Sequence, residues 1–342
     1  MIKATLDLLQ FLSSNFSFLF SLVVYTVLAI LLSKSIKKHS KVYYWVFGVI
    51  SFAFIVPFVC RLCGVAFPIN IGNIPLLGLS VNELSSAANF IHPVLVLIMF
   101  MGAFNARIPV VGRLMSIRKE LSIIVGFPVL AHATKRVFAS FPDGWQYFAD
   151  NEAFMANPRV HSALGSGITS FVFVLGLVMT ILFLVLWITS FDSVRKKMGY
   201  KKWKSVQKWS YALYAMLFIH SIGLSVGSMI SDNARETAQS KAKVEQVAEG
   251  KATPTQGQQQ GHGQPAQAQM QQGQQQGHGQ PAQAQAAPSH GGRQKPFSFT
   301  EKVEISRGDK RVIHIIVLFL IYGSYLVLRI RKAKRDKAKR KS

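Results

Sequence analysis

Apolar residues in this chain come in long blocks divided by short polar and basic stretches. Seven blocks stand out: Phe16–Leu32, Tyr43–Cys60, Phe90–Phe104, Leu121–Phe138, Ile168–Ile188, Trp209–Ile230 and Val312–Leu328. Most approach the roughly 20 residues that carry a helix across about 30 Å of hydrocarbon. The third is short, and Leu84–Ala88 extends it. The pattern predicts an all-α fold, a polytopic membrane helix bundle of about seven transmembrane helices.

Composition agrees, because half of the 342 residues are hydrophobic and only 16% are charged, low for a soluble domain. The net charge of +24 invites a nucleic-acid partner, but its distribution argues against one. Basic residues gather after the first block (Lys34, Lys37, Lys38, Lys41) and after the third (Arg107, Arg113, Arg118, Lys119). They gather again from Arg195 to Lys208 and in the tail from Arg329 to Lys341. The intervening connections are poorer in Lys and Arg or carry both signs. This alternation is the positive-inside pattern and predicts a multi-pass protein of the inner (plasma) membrane, N-terminus outside and C-terminus cytoplasmic. Membrane lipid is then a partner of the basic tail, and nucleic acid is not. The first block follows one early lysine and has no small-residue cleavage site before its basic flank, so it reads as a retained helix.

Between about Asn233 and Lys295 the chain is rich in Gln, Gly, Ala and Pro. A 16-residue unit recurs there, QGQQQGHGQPAQAQMQ at Gln256–Gln271 and QGQQQGHGQPAQAQAA at Gln272–Ala287. Such a sequence cannot bury enough apolar surface to offset its ordering entropy, which predicts a disordered extracytoplasmic loop over 231–311. His262, His278 and His290 within it make a weak metal-binding signal, and a duplicated spacer is the preferred reading. No predicted cytoplasmic segment is long enough to fold as a flavin- or nicotinamide-binding domain. An electron donor, if there is one, is therefore a separate molecule.

Two histidines lie deep inside apolar blocks, where polar groups are costly and often functional. His132 is 13 residues past Lys119, and His220 is 12 past Lys208. At about 1.5 Å per residue both imidazoles stand roughly 18–20 Å from the inner basic flank. Facing each other across a bundle, two neutral imidazoles can supply both axial ligands of a haem iron. Each can equally hydrogen-bond a neighbouring helix and bind nothing, and the spacing alone does not separate these readings.

The flanks add a resemblance. Thr189–Tyr211 reads TSFDSVRKKMGYKKWKSVQKWSY, with His220 following, and Arg118–His132 reads RKELSIIVGFPVLAH. Both resemble segments of the ferric-reductase-like transmembrane family, whose inner loop and haem-carrying helix share Thr189, Ser190, Arg195, Gly199, Trp203, Tyr211 and His220 in register. Within that family the chain resembles the haem-binding membrane subunit of the periplasmic methionine sulfoxide reductase system. The resemblance covers roughly 43–230 and 312–342. It implies a six-helix core preceded by an extra N-terminal helix in 1–42, and a last helix with a short basic tail in 312–342.

It also implies a haem b electron-transfer protein, with His132 and His220 as ligands of the haem iron. Arg195 and Lys196 become candidates for propionate or lipid-phosphate contacts. The extracytoplasmic acceptor would be a ferric chelate or a partner reductase subunit, and a membrane quinol is one possible donor. Two departures matter: Gln207 stands where the family has its first histidine, and Arg118 or Lys119 where a four-histidine relative has its partner. One haem is therefore expected, in the outer half of the bilayer.

Other residues carry less. His92, His161 and His314 are expected near the outer face, as solvated helix-end residues in preference to ligands of a second haem or a metal. Trp203 and Tyr211 are expected to anchor a helix at the membrane interface. Cys60 and Cys63 form a CxxC at the outer end of the second block, which raises a quinone-linked thiol oxidoreductase. Such an enzyme needs a second pair to relay through, and small residues closing a helix are the preferred reading. A transporter or channel using the deep histidines is another alternative, though no inverted repeat or pair of Gly/Pro-broken helices supports it.

Overall fold

The computed structural model describes residues 2–68, 74, 84, 87–158, 160–248 and 305–339. They are helical almost throughout, with no strand among them. Contacts divide the chain into a bundle, Met1–Ala238 with Ser298–Ser342, and a second unit, Gln239–Phe297. Of the second unit only residues 239–248 are described, and they are helical.

The bundle begins with α1 (Ile2–Asn15), α2 (Ser17–Leu31), α3 (Ser33–Lys38) and α4 (Ser40–Leu62). A π-helical turn, Ala87–Ile91, leads into α5 (His92–Met101), followed by α6 (Pro109–Ser116), α7 (Arg118–Ala149) and α8 (Asn151–Met155). Then come α9 (Ala163–Ile188), α10 (Asp192–Met198), α11 (Tyr200–Gln207), α12 (Ser210–Ala248) and α13 (Arg307–Lys339). Five stretches are long and apolar enough to cross a membrane: Ser40–Leu62, Arg118–Ser140, Ala163–Ile188, Tyr200–Gln246 and Gly308–Ala338. Phe52, Ile181 and Leu320 on them are each 67% exposed, as side chains facing lipid would be.

The described residues thus contain five full spans, or six if a bent pair counts as one, where about seven were expected. The first block forms the second helix of that pair, Ser17–Leu31 after Leu8–Asn15: the chain turns by 112° at Phe16, whose φ of −126° and ψ of 38° are not helical. The third block forms a short helix in which Pro93, in the first turn of α5, has no N–H for the helical ladder. The turn before it widens to π geometry instead. A short helix suffices there, since nine of the ten residues of α5 are buried and it lies inside the protein.

Around α5 pack α2, α7, α9 and α12, through a cluster that includes Ala29, Leu95, Ile98, Leu121, Phe183 and Leu217. Leu318 of α13 closes another side with Phe18, Val96 and Met99. Helix association in lipid depends on close packing and interhelical hydrogen bonds. A Cβ at Gly126 of α7 would fall 1.8 Å from the Trp187 Nε1, which donates to the Ile123 carbonyl at 3.0 Å. On α12, a Cβ at Gly223 would fall 2.3 Å from the Val172 side chain of α9, and one at Gly227 would fall 3.0 Å from Gly165 O, where the backbones of the two helices come close.

The four basic regions share one end of the bundle. Lys37 reaches Ser116 O and Glu120 Oε1, each at 3.0 Å, and Lys119 reaches Asp192 at 2.8 Å. Arg329 and Lys332 donate to Gly102 O at 3.1 and 2.8 Å, where cations suit the carbonyl end of α5. Near the other end, Cys60 and Cys63 are free thiols in the closing turn of α4. Gly64 (φ 68°) donates to Arg61 O, and Val65 to Cys60 O, a Schellman cap that requires the positive φ of Gly64.

The Gln-rich loop was expected from Asn233, but α12 continues to Ala248. Residues 234–248 are rich in Ala, Glu, Gln and Lys, all good helix formers. The repeats themselves, with His262, His278 and His290, lie outside the described residues.

Candidate functional site

Along α7, Arg118, Ser122 and Val125 line a cavity of about 690 Å³ at the basic end. His132 lies seven residues beyond Val125 and so continues the same helix face outward. It is half-buried. On α12, Leu213 lines that cavity, and His220 lies seven residues beyond it. Both histidines therefore extend stripes that start from one cavity.

His220 is held from α9. Its Nδ1 lies 3.1 Å from Val172 O. A carbonyl only accepts, so Nδ1 carries the proton and Nε2 of the neutral ring is the basic nitrogen. Metal-binding histidines are commonly oriented by such a bond from the other ring nitrogen. The ring also rests on Gly176, where a Cβ would come 3.1 Å from His220 Cε1. Arg136, one turn beyond His132, is within electrostatic reach of His220. Sequence reading missed Val172, Gly176 and Arg136, and only the two imidazoles carried a signal.

Arg195 and Lys196 separate. Arg195 lines the cavity, pairs with Asp192 at 3.3 Å and stacks over Trp203 at 5.9 Å. Asp192 also binds Lys119, 13 residues before His132, which puts this cluster about 20 Å from His132 along α7. Lys196 is exposed and is not on the cavity wall.

Gln207 has a structural task. Its amide donates to Thr189 Oγ1 at 2.9 Å and Leu186 O at 3.3 Å, while Trp203 Nε1 donates to Thr189 O at 3.0 Å. The TS…W…Q residues thereby close the end of α9. Trp203 is a half-buried fastener more than an interfacial anchor, whereas Tyr211 is exposed and carries Arg329 over its ring.

His92 departs most from expectation. It is 5% exposed, deep in the bundle, with Nε2 3.0 Å from Tyr322 Oη and Nδ1 3.3 Å from Ser221 Oγ. Both ring nitrogens are engaged, as a buried imidazole requires. Phe18 packs on it at 4.8 Å and also meets the half-buried His314. His161 is exposed, as expected. Among the described residues no group of three or more His, Cys, Asp or Glu side chains could hold a metal ion. A haem with two axial imidazoles needs no such group.

No solved structure matches the chain. A Treponema pallidum (strain Nichols) protein described as "Uncharacterized protein" is 29% identical over 206 residues, 60% of this chain and 50% of its own length. The chain thus spans about half the length of that curated relative. Residues 86–218, from the π turn through α11 into the third turn of α12, match the family "Ferric reductase like transmembrane component".

Proposed function

We propose that this chain is a haem b-carrying membrane electron-transfer protein, with His132 and His220 as the two axial ligands. The observation that carries the reading is the His220 ring, fixed by Val172 O with its Nε2 left as the basic nitrogen. The family match over 86–218 supports it: domains of that family generally bind haem, and the matched segment includes His132 and ends two residues before His220. A haem held by two imidazoles has no open coordination position and passes single electrons at its edge.

In this reading α7, α9 and α12 exclude water around the ligands, and Gly176 leaves room for the His220 ring. Arg136, one turn outward from His132 and within electrostatic reach of His220, is a cation at that level for a propionate. Arg195 and Lys196 belong to the basic end, where lipid phosphates suit them better. Gln207 and Arg118 or Lys119 provide no imidazole pair, so one haem is held. A separate donor such as a membrane quinol delivers electrons. The acceptor on the outer side is a ferric chelate or a partner reductase, of which the periplasmic methionine sulfoxide reductase is one candidate.

The purified protein should show a b-type reduced-minus-oxidised spectrum with about one haem per chain. His132→Ala and His220→Ala should each remove most of that absorption. A well-folded preparation without haem, or variants with an unchanged spectrum, would overturn the assignment.

A further inference from the structure

The cavity at the basic end is not used by the haem reading, which places its ligands about two turns further along both helices. Its volume of about 690 Å³ lies within the range of small-molecule sites. The walls are divided by polarity. Leu95, Ile98, Val125, Phe183 and Leu213 form an apolar part contributed by α5, α7, α9 and α12. Arg118, Lys119, Arg195, Lys204 and Lys208 supply the cationic part, and among the described residues no carboxylate lines it.

Neighbouring charges do not balance these cations. Asp192 is shared by Lys119 and Arg195, at 2.8 and 3.3 Å. Glu120, 3% exposed, is taken by Lys37 at 3.0 Å and lies 3.8 Å from Lys119. Arg118, Lys204 and Lys208 remain as surplus charge. Tyr200 and Tyr211, both exposed, also line the cavity, side chains typical of the headgroup depth of a membrane. A suitable occupant is therefore anionic at one end and apolar at the other. It enters from the leaflet that the basic residues face. Basic pockets between spans on the cytoplasmic side are known to hold acidic lipid headgroups.

We infer that this cavity is a specific seat for one anionic phospholipid. Its phosphate lies among Arg118, Lys204 and Lys208, and an acyl chain lies against Val125, Phe183 and Leu213. A haem is a poorer occupant because no histidine lines the cavity, and the Gln207 amide is committed to Thr189 and Leu186. A neutral quinone would leave the cationic surplus unanswered.

The test uses the full chain in mild detergent, stripped of loose lipid and exposed to mixed micelles of phosphatidylglycerol or phosphatidylcholine. Bound lipid is then counted by native mass spectrometry. One phosphatidylglycerol should be retained per chain, and phosphatidylcholine should not. K204Q/K208Q should weaken retention roughly twenty-five-fold, since each cation near an anionic headgroup contributes about fivefold. Ser122→Trp, which fills the cavity and keeps every charge, should also abolish retention, while K334Q/K337Q in the tail should leave it intact. Equal retention of both lipids would overturn the assignment, as would unchanged retention in folded cavity variants, or recovery of a quinone or haem from this cavity. Haem absorbance read on the same samples keeps this outcome separate from the fate of the haem assignment.

Discussion

At His220 the proton sits on Nδ1 because its partner, Val172 O, has none to give. Gly176 sets where the ring can stand, with only 3.1 Å between a Cβ there and Cε1. Gly176→Leu should therefore push the imidazole from its carbonyl and lower the haem-to-protein ratio about tenfold, the usual scale for outer-shell changes at metal sites. Gly323→Ala, where a Cβ would meet nothing within 4 Å, should leave the spectrum unchanged. A normal spectrum in folded Gly176→Leu would remove Gly176 from any positioning role. His132 and His220 were legible in sequence because an imidazole inside an apolar block is conspicuous. Val172 and Gly176 were not, being ordinary apolar residues in another apolar block, 48 and 44 residues from His220. For His92 the sequence misled. Its place beside a proline suggests a helix end, and only its contacts with Tyr322 and Ser221 reveal a buried hub.

Between elements, the short α10 is tied to the start of α7 by Asp192. The hydrogen bond from Lys119, with the charge of that ammonium and of Arg195, holds this carboxyl below its ordinary value of 3.8. The folded form thus favours the ionised state, so the contribution is present above about pH 4 and is lost as pH falls through the lower folded value. Asp192 is about half exposed, so the pair is worth roughly 0.2–1 kcal/mol. Asp192→Asn should lower the melting temperature slightly at pH 7, and the difference should shrink as pH falls below about 4. A difference that persists there would show that something other than this charge ties α10 to α7. Helix identity and approximate length were readable from the apolar blocks. The bend at Phe16 and the π turn before Pro93 were not, because a backbone break leaves hydropathy unchanged.

Over the whole bundle, the four basic regions meet at one end, as the alternation of charge along the chain predicted. We propose that this end faces the cytoplasm, with Cys63 about 35 Å away at the far end of the 23-residue α4. A Cys60→Ser chain, with Cys63 as its sole thiol, should react with a membrane-impermeant maleimide on intact cells. A chain carrying Lys334→Cys, with both native cysteines replaced by serine, should react only after permeabilisation. The reverse pattern would invert the topology. The all-helical membrane class followed from sequence alone, because hydrocarbon forces the backbone to satisfy itself within helices and leaves long apolar runs as the trace. The sharing of one end by distant basic segments followed too, since each span reverses the side of the chain. Tertiary structure alone decided which groups meet: Val172 with His220, Gln207 with Thr189, His92 with Tyr322, and five cations around one apolar cavity. Those pairings depend on how helices rotate and approach, through small residues such as Gly126 and Gly223, and a hydropathy pattern carries neither angle nor distance.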